Sequence, residues 1–284
     1  MLGRLHENLR DVIAIVTDSA ASLPPEIAAE LGIEVVPMYL RFGDETYQDG
    51  VDLEDFYGRL AREGATAETA TPAPGDFLDA FERTGADEIV CVTVAASLSG
   101  MYNAAQLAAG MSKRPVHLVD SGNASLAQGF VALEAARAAR SGASREDVIG
   151  RANEVAGRAS LIALIETFEF LRKSGRVKAI EAYAGTMLGI KPVFRLHRGV
   201  ISPVARPRTR RRALERVEDE ALSEIGGRPV HLAAVHAAAE SDANDLLERI
   251  ARRSDVVESY VAEFTAGMGA RTGPGVVGVA FFCE

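Results

Sequence analysis

What most limits the folds open to this chain is the alternation, through its first half, of short β-branched runs with longer alanine- and leucine-rich stretches. "VIAIVTDS" is followed by "PPEIAAELG", "IEVVPMYL" by "LEDFYGRLAREG", "DEIVCVTV" by "SGMYNAAQLAAGM", and "VHLVDS" by "SLAQGFVALEAARAARSG". Strand-like runs separated by helical ones are the signature of βαβ units and a parallel sheet. The strand runs end in polar punctuation at "TDS", "TVAAS" and "VDS". An open α/β sheet offers its binding crevice beyond the carboxyl ends of its strands, so these hydroxyl-bearing loops are expected to converge.

The texture changes after "SREDVIGRANEVAG". "SLIALIE" leads to a glycine-interrupted helical run, "FEFLRKSGRVKAIEAYAGTMLG", and "IKPVFRLHRGVISPVA" reads as two strands joined at Arg198-Gly199. A helix from about Thr209, the run "RPVHLAAVHAA", a helix to Arg253, "VVESYVAEF" and "GVVGVAFF" complete an α+β pattern with antiparallel connections. At 284 residues the chain exceeds one typical hydrophobic core. The expected division falls near Gly157, giving an N-terminal α/β domain over 1–157 and a C-terminal α+β domain over 158–284.

Composition removes several function classes. A formal net charge of -9 opposes general affinity for nucleic acid or anionic membrane. No apolar run is long enough to span a bilayer, and charges at Arg4, Glu7, Arg10 and Asp11 leave no secretory signal, so a cytoplasmic protein is expected. The two cysteines, Cys91 and Cys283, lie in apolar strand-like runs and read as buried free thiols. No GxxxxGK(S/T) is present and no GxGxxG follows the first strand. "VTDSA" matches a haloacid-dehalogenase nucleophile loop only at Asp18, because Ala20 stands where a second aspartate is needed. No G-x-S-x-G elbow occurs, and none of the five histidines lies in an HExxH or Cys/His cluster, so no metal site is expected. His117 and His231, in apolar strand patterns, read as structural.

Four features remain. Ser97 and Ser99 in "AASLSGMYNAA" stand between a strand and a glycine-led helix, where they either cap the helix or bind an anion with its N–H groups. Thr69 and Thr71 in "TATPAPGDF" sit in a proline-stiffened turn before a helix over Gly75–Arg83; a rigid loop holds its hydroxyls at low entropic cost. "ARPRTRRRALER" carries Arg206, Arg208, Arg210, Arg211, Arg212 and Arg216, several in a first helical turn where positive charge opposes the dipole. Either a solvated face or a docking surface for an anionic partner fits. "GARTGPGVVGVAF" reads as a turn into the last strand, with Arg271 projected towards a site or simply preceding the turn.

The collinear segments "IVTDSAASLP", "GIEVVPMYLRFGDETYQDGVDL", "TATPAPGDFLDAF", "VTVAASLSGMYNAAQLAA", "VHLVDSGNASLAQGFVALEAA", "FLRKSGRVKAIEAYAGTMLGIKPVFRLHRGVISPVARPRTRRRAL" and "ARTGPGVVGVAF" span nearly the whole chain. In that order they resemble the DegV family, which includes FakB, the fatty-acid-binding subunit of bacterial fatty acid kinase. The resemblance implies a two-domain α/β fold with an N-terminal Rossmann-like parallel sheet and a C-terminal α+β domain. It implies a long-chain fatty acid in a buried tunnel, shaped by residues such as Ile190, Phe194, Phe264 and Met268. The carboxylate would be held by Thr69 and Ser99 at the opening between the domains, with Arg271 where the family often has histidine. Asp18, Ser19, Ser97, Gly100 and Ser121 would support the site, Thr71 would be structural, and Arg206, Arg208 and Arg210 would meet a FakA-like kinase subunit. It implies no cofactor, no catalytic residue in this chain and no integral membrane segment, and is compatible with transient membrane contact. Two other readings stay open on the residues: a hydrolase or phosphatase using Asp18, Ser19, Ser99 and Ser121, and a lipid sensor without a kinase.

Overall fold

The computed structural model describes residues 12–50, 53–62, 67–175 and 189–284. In the first half, β1 (Ile13–Asp18), α1 (Pro25–Leu31), β2 (Glu34–Val36), β3 (Tyr39–Phe42), β4 (Glu45–Gln48), α2 (Leu53–Arg62) and β5 (Glu68–Ala70) precede α3 (Pro74–Arg83). Then follow β6 (Glu88–Thr93), α4 (Met101–Met111), β7 (Val116–Asp120), α5 (Leu126–Arg140) and α6 (Arg145–Arg158). The second half holds β8 (Ser160–Leu164), α7 (Glu169–Lys173), β9 (Val193–His197), β10 (Val200–Ala205) and α8 (Arg210–Ile225). It ends with β11 (Pro229–His236), α9 (Glu240–Ala251), β12 (Asp255–Glu263), α10 (Ala266–Thr272) and β13 (Val277–Cys283). The segment 176–188, part of the glycine-interrupted run, and the charged residues of 1–11 lie outside the described residues.

The expected α/β class is what the fold shows. β2-β1-β6-β7 form a parallel sheet, and β10-β9-β8-β13-β11-β12 a mixed one in which only β11 and β12 run parallel. "IEVVPMYL" is not one strand. Pro37, which has no N–H for a ladder, separates β2 from β3, and β3 instead centres a small antiparallel sheet, β4-β3-β5.

α5 packs against β1 and β6 on one side and β13 on the other, so it lies between the two large sheets with α6 beside it. It is apolar nearly all round, as a helix buried on two faces must be: Leu126, Phe130, Val131 and Leu133 are fully buried. One core runs through this layer from Val16 of the first sheet to Phe282 of the second. A second core lies on the outer face of the mixed sheet, where Val217 of α8 and Leu246 of α9 meet Ile162 and Phe281. The β9–β10 tip docks onto the first half through a close backbone approach: Gly199 N donates to Gly122 O at 2.6 Å. A β-carbon on Gly122, whose φ is 59°, would come 2.9 Å from Arg198 Cα, so only glycine fits there.

Candidate functional site

The site lies where the chain leaves the carboxyl ends of β1 and β6, neighbours at the point where the parallel sheet changes winding direction. Asp18 ends β1 and is completely buried. Its Oδ1 accepts from Ala20 N at 3.0 Å and its Oδ2 from Val94 N at 2.8 Å, so it ties the turn after β1 to the end of β6. Burial pushes its carboxyl up to about 6, against the pull of hydrogen bonds from Val94, Gln128 and Ala20 and the charge of Arg271.

Arg271 is 8% exposed and sits in the last turn of α10, so the expected glycine- and proline-shaped turn is preceded by a short helix. That helix escapes a sequence reading because its glycines lower helix propensity; tertiary contacts hold it instead. Arg271 Nε donates to Thr69 Oγ1 at 3.0 Å. Thr69 is on β5, opposite Leu40 of β3. The turn that follows β5 reaches the loop before α4: a β-carbon on Gly100 would lie 3.5 Å from Thr71 Oγ1. The threonine loop and the "SLSG" loop are therefore neighbours.

The serines divide. Neither Ser97 nor Ser99 caps α4, whose N-cap is Gly100 with no side-chain bond. Ser97 Oγ donates to Gly199 O at 2.7 Å and fastens the β9–β10 tip. Ser99 Oγ is buried and has no hydrogen-bond partner among the described residues. Ser121 exchanges hydrogen bonds with the backbone of Asn123, and Ser19 Oγ accepts from Met38 N at 3.0 Å, so both hydroxyls shape turns. His231 is buried and bonded through Nδ1 to Glu258 at 2.6 Å, as a structural histidine. Among the described residues no histidine is bonded to a serine; His197 faces Ala159 O, and His117 and His236 face carboxylates.

Beside these loops an apolar cavity opens between the parallel sheet and the second half. Its cavity volume is about 100 Å3, and it is open on one side. Val94, Leu98 and Ala124 line it from the first half, and Leu161, Leu196 and Ile201 from the mixed sheet. Phe168 and Leu171, near and on α7, contribute as well, and no sequence pattern singled them out. Phe194, Phe264 and Met268 are in the lining; Ile190 packs against the core beside it. Among the described lining residues Arg271 is the only charged one.

The arginine-rich segment follows the β9–β10 hairpin. Arg206 and Arg208 are exposed, and Arg210 binds Asp242 Oδ2 at 2.6 Å, Glu166 Oε2 at 3.1 Å and Gly275 O at 2.6 Å. These partners, 32, 44 and 65 positions away, supply the benefit that its place in a first helical turn lacks locally. Thr209 caps that helix, accepting from Arg212 N.

Fold and site together define an α/β protein of two large sheets and one small one, with an apolar pocket at the ends of its parallel strands and, among the described lining residues, one buried cation on the pocket wall. The model of the family described as "Uncharacterised protein, DegV family" matches residues 12–284, and the chain belongs to the DegV family. It is 35% identical over 272 residues to a DegV domain-containing protein of Streptomyces coelicolor, covering 94% of this chain and 97% of that one. It is 30% identical over 278 residues to the Bacillus subtilis protein DegV, covering 95% and 98%. Among solved structures, a fatty-acid-binding DegV family protein from Thermus thermophilus superposes with a TM-score of 0.89 at 29% identity, over 96% of this chain and 99% of that one. The B. subtilis DegV structure, a fatty acid binding protein, gives 0.88 at 29%, over 96% and 100%. Among the described residues no helix is long and apolar enough to cross a membrane.

Proposed function

We propose that this protein binds a long-chain fatty acid with its tail in the apolar cavity and its carboxylate at Thr69, Ser99 and Arg271, and presents that carboxylate to a separate kinase subunit. The observation that carries the reading is an apolar cavity whose one charged lining group among the described residues, Arg271, is hydrogen-bonded to Thr69. An amphiphile with a single anionic end matches that pattern. The fatty-acid-binding relatives support the choice of ligand. Burying about fifteen methylenes at ~0.8 kcal/mol each gives on the order of 12 kcal/mol before the costs of association. A charge-assisted hydrogen bond adds only ~1.5–3 kcal/mol. The tail therefore dominates affinity and the polar groups set position.

Presentation to a FakA-like kinase rests on the resemblance, with Arg206 and Arg208 as the exposed arginines that would meet it. The division near residue 157 is part of the same proposal, with the carboxylate lying between the two halves. Mass spectrometry of lipid extracted from the natively purified chain is expected to find one fatty acid per protein, and its absence overturns the ligand. With a cognate kinase, Thr69→Ala combined with Ser99→Ala should cut acyl-phosphate formation by about tenfold or more. An undiminished yield removes both hydroxyls from the site. Formation of acyl phosphate without any added kinase removes the partner.

A further inference from the structure

Asp49 lies outside the pocket lining and was given no role in the site above, yet it grips the helix that carries Arg271. The helix α10 has no cap of its own: Thr265, at the N-cap, makes no capping bond, and its hydroxyl faces Ser19 O instead. The missing acceptor comes from 218 positions away, where Asp49 Oδ1 takes the N–H of Gly267 at 3.0 Å. Asp49 directly follows β4, and its own N–H donates to Met38 O at 2.8 Å, so it is fixed to the small antiparallel sheet.

The underside of α10 is cut to fit that sheet. A β-carbon on Gly267 would stand 2.0 Å from Met38 Sδ and 3.1 Å from Asp49 Oδ2, and one on Gly269 would stand 2.3 Å from Tyr57 Oη. The helix thus rests with its backbone against Met38, Asp49 and Tyr57. At its far end Arg271 bonds to Thr69, on β5 of the same three-stranded sheet. One sheet holds the helix at both ends, and four residues, roughly 6 Å of helical rise, separate the two grips.

We infer that Asp49 is a positioning residue: by capping α10 from the small sheet it sets where the Arg271 guanidinium stands against Thr69, and so where a ligand carboxylate is held. The inference rests on the proposed role of Arg271. Asp49 touches no ligand itself, and acts only through the register of α10.

The test compares hexadecanoic acid with hexadecanol, which shares the tail and lacks the carboxylate, by displacement of a fluorescent fatty probe from the delipidated full chain. Asp49→Ala is expected to weaken the acid about tenfold and the alcohol less than about twofold. Asp49→Asn, whose amide oxygen still accepts from Gly267, restores acid binding. In an Arg271→Gln background Asp49→Ala adds no further loss. Equal weakening of acid and alcohol, or additive losses in the double variant, overturns the inference and leaves Asp49 a merely structural cap. If Arg271→Gln by itself leaves the acid-to-alcohol ratio unchanged, the carboxylate role of Arg271 fails and takes the inference with it. Should Asp49→Ala not fold, Asp49→Glu, which keeps the acceptor but shifts it by one methylene, is read in the same way.

Discussion

Arg271 Nε and Thr69 Oγ1, 202 positions apart, are joined by a 3.0 Å hydrogen bond that ties the short helix before the last strand to an edge of the small antiparallel sheet. The bond orients a buried guanidinium on the wall of an otherwise apolar cavity. On the proposed function, a ligand carboxylate arriving there would exchange a scattered hydration shell for donors already in place.

Thr69→Val keeps the shape of the side chain and suits a strand, but removes the hydroxyl. Affinity for a long-chain fatty acid is expected to fall about tenfold, the scale of one charge-assisted hydrogen bond. Melting temperature should fall as well, because the buried Arg271 Nε loses this acceptor. Calorimetric titration of the delipidated variant checks it; wild-type affinity removes Thr69 from the carboxylate site.

Asp18 makes stability depend on pH in an unusual sense. Its folded carboxyl, raised by burial to about 6 from an ordinary value of 3.8, binds its proton more tightly than the unfolded chain does. The stability it contributes is full below about pH 4 and is lost as pH rises through about 6. Two pKa units correspond to roughly 3 kcal/mol. Measured by urea denaturation against Asp18→Asn, which stays neutral throughout, the wild type should lose about that much between pH 4 and pH 7. A difference that stays flat across this range refutes the assignment.

Glu258 behaves in the opposite sense. Burial alone would raise its carboxyl, but hydrogen bonds from Arg137, Tyr260 and His231 outweigh it and bring the group down to about 2 from 4.5. Both Arg137 Nη atoms reach Glu258 at 2.6 Å, joining α5 to β12. This contribution is present above pH 4.5 and lost as pH falls through about 2. Glu258→Gln should therefore cost about 2 kcal/mol near neutrality, with the gap to wild type closing in acid. Equal stability of the two proteins at pH 7 counts against the pin.

The parts of this fold legible in the sequence are those whose cause is local. β-branched runs such as "DEIVCVTV" became strands, and the Arg198-Gly199 pair became a hairpin tip, because backbone preference and burial agree there. Three things were not legible, each because the cause lies far along the chain. Arg210 looked like a free cation because Glu166 and Asp242 are distant in sequence. Ser97 reads in sequence as either a helix cap or an anion contact because its acceptor, Gly199, is 102 positions on. α10 looked like a loop, since "TAGMGART" has poor helix propensity and its cap, Asp49, belongs to another sheet. The hydroxyls and the cation of the candidate site could be named from residue type and from family likeness. Their contact, Thr69 to Arg271, could only be seen folded.

The seat of α10 gives a test of packing with an internal control. Tyr57 Oη is buried without a hydrogen-bond partner among the described residues, and burial and the charges of Glu263 and Asp49 push its ionisation upward, so the phenol stays neutral. Removing an unsatisfied hydroxyl costs little, and Tyr57→Phe is expected to leave stability unchanged or raise it by up to about 1 kcal/mol. Gly269→Ala, by contrast, drives a methyl to 2.3 Å from that hydroxyl and should cost about 2 kcal/mol, or move α10 and weaken fatty acid binding. Tyr57→Phe in the same chain withdraws the nearest atom and leaves ring carbon Cζ at 2.9 Å, so the double variant should recover part of the loss. Chemical denaturation and acid binding of all three variants decide it: additive single effects mean that Gly269 and Tyr57 do not meet, whereas partial rescue places the helix against the ring.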